Sequence, residues 1–333
     1  LHLCDRRQRQ MCIRDRMYDV TKDEKYLKFA DNFIDYRVHE DGTIDGYNIG
    51  EKNIDNVNAG KTLFELYDLT GKEKYRKAID LVYSQIEIMP RCNNEARSFW
   101  HKDIYPNQVW LDGLYMGLPF YLEYETRYND RKNYSDIFGQ FKFVIENMRN
   151  PINGLYFHAM DTSREAFWCD KVTGLSQHSW LRAIGWYTMA LIDTLDQVDN
   201  KDHKYDAECK MLEDAFKDLV DSMLKYQDES GMWYQVVNYG GMDKNYLETS
   251  GSSIMAYALL KAIRLGYLSD DYAQYAKKAI DGICERYLKT NEDGSLSLGG
   301  ICLVAGLGGN GRRPGTYDYY ICLLYTSPSP RDT

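Results

Sequence analysis

One short pattern recurs along this chain and limits what it can fold into: a polar break, a Lys- and Asp-rich stretch ending in tyrosine, then a helix. It stands at Thr21-Lys-Asp-Glu-Lys-Tyr26 and at Thr70-Gly-Lys-Glu-Lys-Tyr75, with weaker echoes ending at Tyr134, Tyr205 and Tyr272. These tyrosines are 49, 59, 71 and 67 residues apart. A helical hairpin repeated with loops of variable length accounts for such spacing. Thr or Ser ahead of acidic residues supplies an N-cap and first-turn acids.

Apolar spacing of three and four predicts helices near 24–37, 57–69, 73–88, 109–128, 133–148, 180–197, 205–226, 249–265 and 271–288. Segment 73–88 is amphipathic, with Tyr75, Ala78, Ile79, Val82 and Ile86 on one face. Segments 109–128 and 180–197 begin apolar nearly all round, so other helices must surround them. Alternating inner and outer helices imply a toroid of hairpins. Loops with Gly and strand-like pieces (Asp41–Gly46, Asn153–His158, Gly231–Val237, Asp293–Leu298) each follow an outer helix. They gather at one end of the toroid, where function is usually carried. No low-complexity linker interrupts 17–321, which reads as one domain.

Several function classes are excluded. The net charge of −9 argues against nucleic acid as the main partner. No run of 18 apolar residues occurs, so no membrane span is predicted. The 8 cysteines show neither CxxC nor Cys/His ligand spacing and are read as reduced, with no metal site. No P-loop, GxSxG, HExxH or Rossmann glycine set is present, and the glycine-rich run 299–311 reads as a loop at the toroid mouth. The 29 tyrosines and 6 tryptophans suit sugar faces, although most serve the core.

Two carboxylates invite attention. Asp112 sits in Gln108-Val-Trp-Leu-Asp-Gly-Leu-Tyr-Met116, an apolar and aromatic stretch. It reads either as a poised general acid or as a first-turn acid balanced by the helix dipole. Asp55 occupies the corresponding place at the start of another inner helix, as a catalytic partner or as an N-cap. His101 and Lys102 lie in the loop before the Asp112 helix, and His158 ends a strand-like piece. His178, Arg182 and Trp186 are spaced four apart, and one helical face is expected to carry all three, with Trp180 just off it. An arginine on an inner helix must pair with an anion, either a protein carboxylate or a substrate one.

With those residues assembled, the chain resembles the unsaturated rhamnogalacturonyl hydrolases, glycoside hydrolase family 105. The most specific stretches are 108–116, His178-Ser-Trp-Leu-Arg-Ala-Ile-Gly-Trp186 and Leu303-Val-Ala-Gly-Leu-Gly308. The resemblance implies an all-α fold, the (α/α)6 barrel, with Asp112 as catalytic acid and Asp55 as second essential carboxylate. It also implies substrate contacts from His101, Lys102, Trp110, His158, Trp180, Arg182 and Trp186; His178 is counted with them through the Arg182 face. The implied substrate is a small anionic oligosaccharide with a 4,5-unsaturated uronic acid at its end, and no cofactor or metal is required. The alternatives are an unsaturated glucuronyl hydrolase acting on glycosaminoglycan- or ulvan-derived disaccharides, and a toroidal sugar epimerase.

The ends differ from the rest. Residues 1–16, with five arginines, and 322–333 resemble translated sequencing adapter and are expected to be non-native flanks. A barrel of this kind needs twelve helices; nine and a stub near 316–321 are predicted, so truncation at both ends is expected. With the native start unread, a cytoplasmic location is the default expectation.

Overall fold

The computed structural model describes residues 17–18 and 20–325. Its helices are α1 (Glu24–Asp35), α2 (Lys61–Thr70), α3 (Glu73–Ile88), α4 (Leu111–Tyr128), α5 (Tyr134–Asn147), α6 (Leu181–Gln197), α7 (Asp206–Leu224), α8 (Thr249–Arg264), α9 (Ala273–Tyr287) and the short α10 (Tyr317–Ile321). The expected helix at 57–69 is split: Ile54–Gly60 is 3₁₀ and the α-helix begins at Lys61. Asn53 caps the tighter segment by accepting from the Asp55 N–H at 3.1 Å. The adapter-like residues 1–16 and 326–333 lie outside the described residues.

Packing sorts these helices into two rings. The 54–60 segment packs on α4, α4 on α6 and α6 on α8, forming the inner row. Each inner helix is backed by the outer helix that follows it: α2 by α3, α4 by α5, α6 by α7, α8 by α9. This is the (α/α)6 barrel. The outer helix α3 buries Tyr75, Ala78, Ile79, Val82 and Ile86 as its periodicity predicts; a large side chain of this kind contributes about 1.5–3 kcal/mol on full burial. Inner helices approach more closely. A Cβ on Gly117 would stand 2.7 Å from Ile54, and one on Gly251 2.4 Å from Leu181, so any larger residue would push the two inner elements apart.

Pro119 lies inside α4. It cannot donate to the carbonyl four residues back, and the Lys61 ammonium takes that role, donating to the Tyr115 carbonyl at 2.8 Å. No helix among the described residues is long and apolar enough to cross a membrane. The strands are short pairs at the loop end: β1 (Gln108–Trp110) with β2 (Ala159–Asp161), β3 (Leu288–Thr290) with β4 (Leu296–Leu298), and β5 (Ile301–Cys302) with β6 (Leu324–Tyr325), all antiparallel.

Candidate active site

One hydrogen bond repeats around the mouth of the barrel. The first residue of each inner element donates its N–H to a carbonyl in the loop that leads to the next: Ile54 to His101 (3.1 Å), Leu111 to His158 (3.1 Å), Leu181 to Gln235 (3.0 Å) and Thr249 to Gly300 (2.8 Å). These N–H groups have no intrahelical partner, so the loops satisfy them. The following residues, Asp55, Asp112, Arg182 and Ser250, are therefore equivalent positions that begin four neighbouring inner elements. At the first two, the acceptor residue is a histidine whose ring turns toward the acid. His101 Nε2 is 3.5 Å from Asp55, and His158 Nε2 is 3.4 Å from Asp112.

The two acids differ in their partners. Asp55 also meets the Lys102 ammonium at 2.7 Å. Burial raises its carboxyl, but the charge of His101, then that of Lys102 with its hydrogen bond, outweighs burial and holds Asp55 below the usual carboxylate range. Burial pushes His101 itself down to about 4, so at neutral pH Lys102 is the standing cation and Asp55 is ionised. Asp112 makes no ion pair with a lysine or arginine among the described residues; Arg182 lies near enough to feel its charge but is not bonded to it. Asp112 Oδ2 and His158 Nε2 are both buried without a hydrogen-bond partner, and they face each other. His158 is fully buried, and its Nδ1 meets the Tyr320 hydroxyl at 2.8 Å. Burial raises the Tyr320 phenol well above its ordinary value, so it stays protonated and donates. Nε2 then carries the imidazole proton and is directed at Asp112.

A cavity of about 440 Å³ opens over this end of the barrel. Asp55, Asp112, His101, Lys102, Trp110, Trp180, Arg182 and Trp186 all border it. Trp110 stacks on His101 (4.4 Å, 5°) and on Tyr105 (5.1 Å, 12°); Trp186 stacks on Tyr115 at 5.0 Å. Arg182 is pinned from several sides. It donates to Ser250 Oγ at 2.7 Å, to the Leu303 carbonyl at 3.3 Å and to the Cys302 carbonyl, and lies 3.7 Å from Glu248. Of the two pairings weighed from sequence, the protein carboxylate is the one present. Among the described residues no cluster of three or more His, Cys, Asp or Glu is placed to hold a metal ion.

Two expectations are corrected. His178 does not share a helical face with Arg182 and Trp186, because Trp180 caps α6 and the helix starts at Leu181. His178 sits before the helix, edge-on to Tyr239, Tyr317 and Tyr320, and does not border the cavity. His158 likewise stands behind Asp112 instead of in the cavity wall. Sequence reasoning missed Glu248, Tyr320 and Tyr105. For Glu248 a signal existed: an acid before Thr249-Ser-Gly-Ser-Ser reads as an N-cap, and its carboxylate accepts from the Ser250 and Gly251 N–H groups.

His101 makes the fold pH-sensitive. Its folded-state value of about 4 lies below the ordinary 6.5, so the unfolded chain binds more protons between those limits. Stability from this ring is complete above pH 6.5 and is lost as pH falls toward 4. Urea unfolding at pH 7 and pH 5 should show a smaller loss in His101→Phe than in the parent; an equal loss in both would refute the assignment.

Residues 13–329 match the family model described as Glycosyl Hydrolase Family 88. A glycoside hydrolase from family 105 of C. acetobutylicum superposes with a TM-score of 0.88 at 44% identity, over 94% of this chain and 85% of that one. Protein Atu3128 of Agrobacterium fabrum is 38% identical over 212 residues, which is 62% of this chain and 88% of the relative. The unsaturated rhamnogalacturonyl hydrolase YesR of Bacillus subtilis is 25% identical over 285 residues, covering 84% of this chain and 74% of YesR.

Proposed function

Because the chain belongs to glycosyl hydrolase family 88 and to the related family 105, as an unsaturated glycuronyl hydrolase, we propose that its substrate is a 4,5-unsaturated galacturonyl-rhamnose oligosaccharide of the kind a polysaccharide lyase leaves. The observation that carries the reading is the division of labour between two equivalent acids. Asp55 is locked as a carboxylate by Lys102 at 2.7 Å, whereas Asp112 keeps a buried, unbonded oxygen beside a cavity. One acid is free to exchange a proton while the other stays charged. The likeness to YesR supports rhamnose as the neighbouring sugar.

The unsaturated ring is an enol ether, and the steps follow from that. Asp112 protonates C4, leaving positive charge shared between C5 and the ring oxygen. Ionised Asp55 stabilises that charge across the cavity and orients a water. The water adds to C5 and gives its proton to the Asp112 carboxylate, which is restored as the acid. The C5 hemiketal opens to a ketone, the ring oxygen leaves to C1, and the resulting hemiacetal releases the rhamnose end as an alcohol. Trp186, partly exposed at the cavity, offers a flat face for a sugar, and Trp110 backs the site through its stack with His101. His158 holds Asp112 from behind.

The test is a panel of unsaturated disaccharides followed by loss of alkene absorbance. Galacturonyl-rhamnose should be consumed with the highest kcat/KM. Faster turnover of the glucuronyl disaccharides from glycosaminoglycan or ulvan would overturn the proposed substrate while leaving the reaction type in place.

A further inference from the structure

The glycine-rich run around 306–311 is the sequence motif that the catalytic arrangement leaves unused. It folds into a tight hairpin, closed by the Gly308 N–H donating to the Arg313 carbonyl (3.0 Å) and the Arg313 N–H to the Gly308 carbonyl (3.1 Å). Gly308 and Gly309 have φ of +94° and +63°, backbone that suits glycine. The hairpin is anchored on the aromatic wall of the site. Leu307 is buried with Tyr105 and Trp110, and the Tyr319 hydroxyl donates to the Gly306 carbonyl at 2.9 Å.

What the hairpin presents is Arg313. Its guanidinium lies across two bare glycines: a Cβ at Gly306 would stand 2.6 Å from Nη1, and one at Gly309 2.7 Å from Nε. Side chains at either place would displace it. Arg313 borders the cavity, as do Lys102, Arg182 and Arg37. Lys102 is engaged by Asp55 at 2.7 Å and Arg182 by Glu248 at 3.7 Å, while Arg37 covers the Phe33 ring at 4.9 Å. Arg313 has no carboxylate partner among the described residues. A partly buried guanidinium lying over two glycines, without a carboxylate partner among the described residues, suits a planar carboxylate. Its hairpin lies against Tyr105, whose ring stacks on Trp110 at 5.1 Å, and Trp110 stacks in turn on His101, which faces Asp55, so three rings stand between the hairpin and that acid.

We propose that Arg313 forms a distal subsite for the carboxylate of a second uronic acid, on the sugar beyond the rhamnose. This rests on the substrate reading above and sharpens it. In a chain alternating uronic acid and rhamnose, the preferred substrate then carries two negative charges, one at the reacting end and one two sugars along.

The experiment compares an unsaturated disaccharide, with one carboxylate, and an unsaturated tetrasaccharide, with two. The parent enzyme should favour the tetrasaccharide in kcat/KM. In Arg313→Gln that preference should fall on the order of tenfold, the worth of one charge-assisted hydrogen bond, with disaccharide turnover unchanged. Arg313→Lys should keep part of it, and added salt should erode it in the parent only. A tetrasaccharide with its inner carboxylate reduced to the alcohol should behave as the Arg313→Gln variant does with the native sugar. A preference that survives in Arg313→Gln would overturn the proposal, as would equal losses on both sugars. If the parent neither binds nor consumes either sugar, the substrate reading falls and this subsite with it. Turnover of both sugars without preference removes the subsite alone.

Discussion

Asp112→Asn should lower kcat on an unsaturated disaccharide by about 10²–10⁴-fold, with KM little changed. The amide keeps the shape of the carboxyl and its contact with His158 at 3.4 Å, but it cannot deliver a proton to C4. A fall in kcat/KM carried by KM alone would move the role of Asp112 from proton transfer to binding. Tyr320→Phe is the graded companion of this variant, with an expected loss of about tenfold. Without the phenol at 2.8 Å, the His158 proton is free to move to Nδ1, and a lone pair then faces Asp112. The carboxyl then loses the N–H directed at it, and the loss should fall on kcat with KM little changed. The acid limb of the pH–rate profile belongs to Asp55, flanked by Lys102 and by a His101 that takes up its own proton in the same range, and should stay. A packing role for Tyr320 would lower Tm along with activity, whereas a positioning role leaves Tm in place.

The second large effect is on stability. Glu248 is fully buried and accepts from the Ser250 and Gly251 N–H groups, the Ser250 hydroxyl and the Cys302 N–H, and it pairs with buried Arg182. Glu248→Ala would strand four donors and one guanidinium. Removing one partner of a buried ion pair costs about 3–5 kcal/mol, so Tm should fall on the order of 10 °C. Calorimetry reads this directly, and an unchanged Tm would mean that Arg182 is satisfied by the Leu303 and Cys302 carbonyls alone. Activity should fall as well, because Arg182 borders the cavity.

The reason the helices could be read from the sequence is that each buries one face, and burial writes a period into the chain. The α3 range was expected residue for residue. Asp55 and Asp112 were legible through the repeat, since both follow the first residue of an inner element. The partners were not. Asp112 and His158 are joined by a pairing of Trp110 with Ala159, and Tyr320 reaches His158 across 162 residues; no local pattern encodes such distances. The expected face of His178 failed for a local reason. Spacing of four implies a shared face only inside a helix, and the helix boundary falls three residues later.

The mouth-closing hydrogen bonds have a consequence for how the protein matures. Each joins one hairpin to the next, and the site draws Asp55 from the 54–60 segment and Tyr320 from α10. Contacts of such sequence separation form late, after the local hairpins. A chain released or cleaved before α10 would keep most of its helices and both acids, yet lack the hydroxyl that orients His158. Turnover would then be the last property to appear on synthesis and the first lost on damage, so specific activity would count closed rings rather than folded helices.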